Sequence, residues 1–207
     1  AMAKLGLSPG LPPIAERVPE EKRAALRAMM AESGYPEAIY DRLETWAASL
    51  SLLGVTFKRL GLDPSLGVEN QINKPFRAAG KTVTGLETVE QQLGYLDTLP
   101  EAAQRAMLLS VIEDSAETRA QFQAMLEAWS KGDLAGIART FDDETQMSPE
   151  LKAALMSRRN AAWADWLAKR MEKPGTVFVA VGAGHLAGDE SVQAMLRKKG
   201  FKAKRVQ

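Results

Sequence analysis

The sequence contains no cysteine, a single histidine, and few aromatic residues (6%). Without cysteine, disulfides, thiolate zinc sites and cysteine nucleophiles are excluded. No apolar run approaches the roughly 20 residues that a membrane-spanning helix requires. The formal net charge is +1, so no excess of positive charge favours nucleic acid, and we expect no nucleic-acid partner. Any metal site must therefore combine His185 with carboxylates or with groups from outside the chain.

A hydrophobic content of 45% over 207 residues is sufficient for a buried core. We expect a single domain over residues 1–207, in which residues 1–18, rich in proline and glycine, form a loop that leads into the first helix. Apolar spacings of three and four residues then predict about seven helices. The chain start lacks the features of a signal peptide.

Three short segments, 81–86, 176–181 and 201–206, are rich in residues that favour strands. They predict an α/β (α+β), helix-rich fold with a small central sheet flanked by about seven helices. A sheet of three strands is too small to pack against about seven helices. We therefore expect the sheet to be incomplete without upstream residues or a partner copy, as in a homodimer.

The last section, 174–207, is predicted to be a strand–glycine turn–helix–strand unit whose turn carries Gly182, Gly184 and His185. Open α/β sheets place their sites where a buried strand ends, and glycines there allow positive φ and close approach to a ligand. His185 is therefore a candidate metal ligand or general base. The alternative is a polar residue that merely fills a surface turn.

Gly85 and Glu87 follow the first predicted strand, which makes Glu87 a second candidate for the edge of the sheet. Glu87 and His185 would then converge, either as metal ligands or as a carboxylate–imidazole pair for proton transfer. The alternative is that Thr88 or Glu87 caps the next helix. The spacing favours neither.

A third candidate group is Arg159 and Asn160, which lie within a predicted helix close to Trp163. An arginine and an asparagine on one helical turn can orient a carboxylate or stabilise an oxyanion. A solvated helix face is the more common explanation for such a pair.

The order of these segments resembles that of the TraB/GumN family, the bacterial relatives of the Tiki proteins. The matching pieces are Leu43-Glu44-Thr45-Trp46, Gly67-Val68-Glu69, Gly85-Leu86-Glu87-Thr88, Arg159-Asn160 with Trp163, and Val181-Gly182-Ala183-Gly184-His185-Leu186. The resemblance implies a metal-dependent, peptidase-like hydrolase on a fold shared with erythromycin esterase-like and ChaN-like proteins. The resemblance also implies export or attachment to a membrane through an upstream segment.

In the family, two G-x-x-H motifs and a glutamate form the site. The resemblance makes His185 the histidine of the second motif and a metal ligand, Glu87 an acidic site residue, and Arg159 and Asn160 supports for substrate or metal-bound water. The first G-x-x-H motif is absent from this sequence. We therefore expect the C-terminal portion of a family domain, inactive without the upstream segment.

Three functions follow as hypotheses. The first is hydrolysis of a peptide or ester bond, in a peptide or small-molecule substrate, with manganese, cobalt or zinc as cofactor. The second, by analogy with ChaN-like proteins, is haem binding through His185 or Tyr95. The third is a non-catalytic domain that associates with itself.

Overall fold

The structure, a computed structural model, describes residues 2–113, 116–142 and 148–206 and is helix-rich. The structure is 67% helical, and no β-strand is present in these ranges. The chain separates into two compact units, an N-terminal unit of residues 1–114 and a C-terminal unit of residues 115–207. The single domain over residues 1–207 stays a prediction.

The predicted α/β class with a central sheet is wrong. Segments 81–86, 176–181 and 201–206 lie outside helices and form no sheet with other described residues. Val177 and Phe178 are 39% and 61% exposed, so the most apolar of the three segments is not in a core. A preference for strands is realised only when a neighbouring strand supplies hydrogen bonds and packing, and the described residues supply none here. The two strands of the predicted unit at 174–207 are therefore wrong as well.

The N-terminal unit is built from short and medium helices joined by tight turns. Within its described residues the α-helices are α1 (Met2–Leu5), α2 (Arg23–Ser33), α3 (Glu37–Tyr40), α4 (Thr45–Arg59), α5 (Val68–Ala78), α6 (Val89–Asp97) and α7 (Glu101–Ile112). Helix α4 packs against α2 and α7. On α2, Leu26, Met29 and Met30 are buried at spacings of three and four, which is the apolar stripe of an amphipathic helix. The core therefore lies where these stripes meet.

Residues 1–18, predicted to be a lead-in loop, also contain α1 and a 3₁₀ turn, Ile14–Arg17. Arg17 is 1% exposed and joins this segment to the turn before α4. Its guanidinium donates to the carbonyl oxygens of Pro12, Leu43 and Asp41 at 2.8, 2.6 and 3.0 Å. Burial lowers the pKa of Arg17, against the opposing attraction of Glu101. The guanidinium replaces the backbone partners that a regular element would have supplied.

The C-terminal unit contains the predicted site residues around His185. Within its described residues the α-helices are α8 (Ala116–Ser130), α9 (Leu134–Asp142), α10 (Pro149–Lys152), α11 (Arg158–Met171) and α12 (Val192–Lys198). A π-helical turn, Ala153–Ser157, joins α10 to α11. Helix α8 packs on α9, and α11 packs on α12. None of the described helices in either unit is both long enough and apolar enough to cross a membrane.

Candidate functional site

Helix α11 places Asn160 on its buried face. Asn160, Trp163, Ala164 and Leu167 are buried at spacings of three, one and three residues, so they form one stripe along the helix. Asn160 itself is 1% exposed. The solvated helix face considered above is therefore not the environment of this asparagine.

His185 lies in a single 3₁₀ turn, Ala183–Leu186, that contacts α9 and α12. Its backbone N–H donates to the carbonyl oxygen of Gly182 at 2.9 Å, and the residue is 9% exposed. Gly182 has φ −57° and needs no left-handed conformation. The left-handed glycine of this segment is Gly188, with φ +75°. The expectation that the first glycines of the turn permit positive φ is thus wrong for Gly182.

The imidazole of His185 contacts the buried amide of Asn160. Nδ1 of His185 and Oδ1 of Asn160 are 2.6 Å apart. Nδ2 of Asn160 donates to the main-chain carbonyl of Glu190 at 2.8 Å. The hydroxyl of Ser157 in turn donates to Oε2 of Glu190 at 2.7 Å. Two residues that the sequence predicted as site residues, Asn160 and His185, are thus in direct contact.

An aromatic ring and a cation flank the imidazole. The ring centroids of Trp163 and His185 are 4.4 Å apart, with the planes tilted by 52°. The guanidinium carbon of Arg159 lies 4.8 Å from the Trp163 ring centroid, within cation–π range. Burial, and secondly the positive charge of Arg159, lower the pKa of His185 to about 4. The imidazole is therefore neutral at physiological pH.

A cavity of about 240 Å³ lies beside Asn160. Asn160 and Gly184 form part of its wall, together with Met156, Lys152 and Asp189. The volume corresponds to roughly eight water molecules at about 30 Å³ each. The cavity can hold a group the size of one amino-acid side chain.

The described residues do not contain a complete set of metal ligands. A histidine that binds a metal usually donates its other ring N–H to a second group, and His185 has such a neighbour in Asn160. However, within residues 2–113, 116–142 and 148–206 no three acidic or histidine side chains are grouped closely enough to hold a metal ion. The described residues therefore do not form a complete metal site around His185.

The second predicted motif, with Gly85 and Glu87, belongs to the N-terminal unit. Thr88 caps α6, because its hydroxyl accepts from the backbone N–H of Gln91 at 3.1 Å and the Gln91 side chain accepts from the Thr88 N–H at 2.8 Å. A Cβ on Gly85 would lie 2.7 Å from the Glu87 carbonyl oxygen, so the turn before the cap requires glycine. The convergence of Glu87 with His185 stays a prediction, as does haem binding through His185 or Tyr95 of the N-terminal unit.

Sequence reasoning missed Glu190 and Ser157. Glu190 contacts Asn160 through its main-chain carbonyl, and Ser157 contacts the Glu190 carboxylate from 33 residues away in the sequence. No residue pattern therefore signals either contact. The burial of Asn160 could have been inferred from its spacing of three to Trp163 and seven to Leu167 on a predicted helix.

Comparisons with known proteins find relatives that match nearly the whole chain. The uncharacterised protein YbaP of Escherichia coli (strain K12) is 28% identical over 198 residues, which cover 91% of this chain and 70% of YbaP. An uncharacterised protein of Treponema pallidum (strain Nichols) is 23% identical over 189 residues, which cover 86% of this chain and 56% of that protein. No solved structure matches the chain. The model of the TraB/PrgY/gumN family matches residues 1–205, and the chain therefore belongs to the TraB/PrgY/gumN family.

Proposed function

We propose that this chain carries part of the site of a metal-dependent hydrolase, in which His185 is the imidazole ligand. The observation that carries the proposal is the 2.6 Å contact between Nδ1 of His185 and Oδ1 of Asn160. That contact occupies one ring nitrogen and leaves Nε2 for a ligand. When bound, a divalent metal polarises the scissile carbonyl and activates water. Ligands beyond His185 and the predicted Glu87 would come from outside the described residues.

The low pKa of His185 favours the role of a ligand over that of a general base. A base works best when its pKa lies near the working pH, whereas the pKa of His185 is about 4. A metal ligand needs only an unprotonated nitrogen, and a pKa well below 7 supplies one at every physiological pH. His185 therefore serves binding rather than proton transfer.

Arg159 and the cavity that Asn160 lines suit an acyl substrate such as a peptide or an ester. Arg159 places a positive charge beside the imidazole, and positive charge stabilises the oxygen that becomes negative when a carbonyl is attacked. The cavity of about 240 Å³ next to Asn160 accepts one side chain of such a substrate.

Nuclear magnetic resonance with Mn²⁺ as the probe tests the ligand role on this chain. Because the chain has one histidine, its ring C–H signals are recognised by their loss in His185→Gln. We expect sub-stoichiometric Mn²⁺ to broaden these signals more than those of other buried aromatic rings. Ring signals that stay as sharp as those of Trp46, in the N-terminal unit, would overturn the proposal.

Variants then separate the predicted ligands. Glu87→Gln reduces the Mn²⁺ effect on His185 only if Glu87 is a second ligand. Glu127→Gln is the matched control, because Glu127 is an exposed carboxylate paired with Lys131. Where the upstream segment supplies peptide hydrolysis with Mn²⁺, Co²⁺ or Zn²⁺, cleavage should fall at least about tenfold in His185→Gln. Metal-dependent cleavage that survives in this variant contradicts the proposal.

A further inference from the structure

Contacts at both ends of the Asn160 side-chain amide fix which end is the oxygen and which is the nitrogen. Its Nδ2 faces the main-chain carbonyl of Glu190 at 2.8 Å. A carbonyl oxygen accepts hydrogen bonds and never donates them, so the group opposite it must be the NH₂. The amide oxygen therefore faces His185, and the opposite orientation would place two acceptors against each other.

This orientation has a consequence for the imidazole. An amide oxygen can only accept, so Nδ1 of His185 must carry the hydrogen in their 2.6 Å contact. We infer that Asn160 is a positioning residue that holds His185 in its Nδ1–H tautomer and keeps the lone pair on Nε2. The purpose of this arrangement rests on the proposed function. The tautomer itself does not, because it follows from hydrogen bonds within the chain.

The inference changes the role expected of Asn160. A residue that supports substrate or metal-bound water needs a free polar end, whereas Asn160 is 1% exposed and both ends of its amide are engaged. Asn160 lines the cavity, but both polar atoms of its side chain contact other groups of the protein. It acts through His185 rather than on the substrate.

The carbonyl that orients Asn160 is itself held in place. Glu190 immediately precedes Ser191, which is 1% exposed and caps α12 by accepting from the backbone N–H of Ala194 at 3.4 Å. The carboxylate of Glu190 accepts from the hydroxyl of Ser157, one turn before Asn160 on the same continuous helical segment. The start of α12 and the start of α11 are thus connected at the point where the amide needs a fixed acceptor.

An amide suits this task better than a carboxylate. Aspartate would also accept from Nδ1–H, but its negative charge would favour the protonated, positively charged ring, which has no lone pair for a ligand. Asparagine orients the ring without adding that charge. Leucine, which has a similar size and no acceptor, would leave the tautomer undetermined.

Nitrogen NMR on ¹⁵N-histidine-labelled protein at neutral pH, without metal, tests the inference directly. We expect one protonated nitrogen, at Nδ1, and one unprotonated nitrogen, at Nε2. In Asn160→Leu the Nδ1–H and Nε2–H tautomers of His185 should interchange, or the Nε2–H tautomer should dominate. Asn160→Asp should keep the hydrogen on Nδ1. Asn70→Leu is the matched control, because Asn70 is an exposed amide of the N-terminal unit. An Nε2–H tautomer in the unmodified protein would overturn the inference, whether or not the variants fold.

The same samples keep this inference separate from the proposed function. If Nδ1–H is found but Mn²⁺ does not broaden the ring signals, the positioning role of Asn160 stands and the ligand role of His185 fails. If Mn²⁺ broadens the signals of a ring with Nε2–H in the free protein, the positioning role fails instead. With both intact, Asn160→Leu should weaken the response to Mn²⁺ by about tenfold to a hundredfold, as expected for an orienting neighbour of a metal ligand.

Discussion

Among the described residues, each of the two units buries one basic side chain, and the two side chains act in opposite ways. In the N-terminal unit, Arg17 donates to three carbonyl oxygens and, at 3.4 Å, approaches the hydroxyl of Thr45. In the C-terminal unit, His185 contacts Asn160 through one ring nitrogen. Burial lowers the pKa of both. Arg17 stays charged and connects chain segments, because a guanidinium has only donors to offer. His185 becomes neutral and keeps an acceptor, which is what a binding site requires.

The two glycine-containing motifs, at Gly85 and Gly182, also differ in that one is structural and the other holds the candidate binding group. The turn with Gly85 ends in an exposed helix cap at Thr88, which accounts for much of its sequence without any ligand. The turn with Gly182 ends in a buried imidazole that the local backbone does not need. A buried polar side chain whose hydrogen bonding leaves one atom unused is therefore the better sign of function in this molecule.

The largest expected effect concerns Arg17, the buried arginine of the N-terminal unit. Arg17→Met should lower the free energy of unfolding of the N-terminal unit by about 3–5 kcal/mol, because it leaves buried carbonyl oxygens without a donor. Urea denaturation followed by circular dichroism measures the change. The matched control is Arg27→Ala, since Arg27 is an exposed arginine 3.6 Å from Glu37 and should contribute less than about 1 kcal/mol. Equal effects of the two substitutions would show that burial of Arg17 contributes nothing special.

The second effect is a pH dependence of stability that originates from His185. The unfolded chain titrates near the ordinary pKa of about 6.5, and the folded protein has a pKa of about 4. Between these values the unfolded state binds more protons, so the free energy of unfolding falls as the pH decreases through this window and levels off below it. Because the imidazole is partly reached by solvent, we expect a loss of about 1–3 kcal/mol.

The measurement compares urea denaturation at about pH 7 and about pH 4.5, for the unmodified protein and for His185→Gln. Carboxylates titrate in both proteins, so the difference between the two pH dependences isolates the imidazole. Identical pH dependences would mean that His185 is protonated as easily in the folded protein as in the unfolded chain.

The smallest effect concerns the cap at Thr88. Thr88→Ala should cost about 1 kcal/mol because the backbone N–H of Gln91 loses its acceptor, and Thr88→Ser should restore most of it. Denaturation of the N-terminal unit measures both. If Thr88→Ala also weakened the response of His185 to Mn²⁺, the first glycine motif would have a role in binding as well as in capping. A purely structural motif leaves that response unchanged.

Much of the helical structure could be predicted from the residues alone. The apolar stripe of α2 and the start of the helical run at Ser148, whose hydroxyl accepts from the backbone N–H of Leu151 at 3.2 Å, follow from local patterns. The helices are more numerous than the predicted seven, twelve α-helices within the described residues, because long apolar patterns are interrupted. For example, apolar residues recur at spacings of three and four between residues 39 and 53, which predicts one helix, but a turn separates α3 from α4. Periodicity locates helical residues but does not show every point at which the chain turns.

The strands could not be predicted in the same way. Segments 81–86, 176–181 and 201–206 have the composition of strands, yet a strand exists only through hydrogen bonds to a neighbour elsewhere in the chain or in another chain. Composition describes the segment and not its neighbour. The sheet was therefore expected from local preference and is absent from the described residues for want of pairing.

By itself the sequence determined the family, most of the helices and the candidates His185, Arg159 and Asn160, because these depend on residue identity, order and spacing. The tertiary structure decided that Asn160 meets His185, that the carbonyl of Glu190 orients the amide between them, and that burial lowers the pKa of the imidazole. These properties depend on which groups lie within about 3 Å of each other after folding. Residues 25 and 30 positions apart in the chain acquire that relation only through packing.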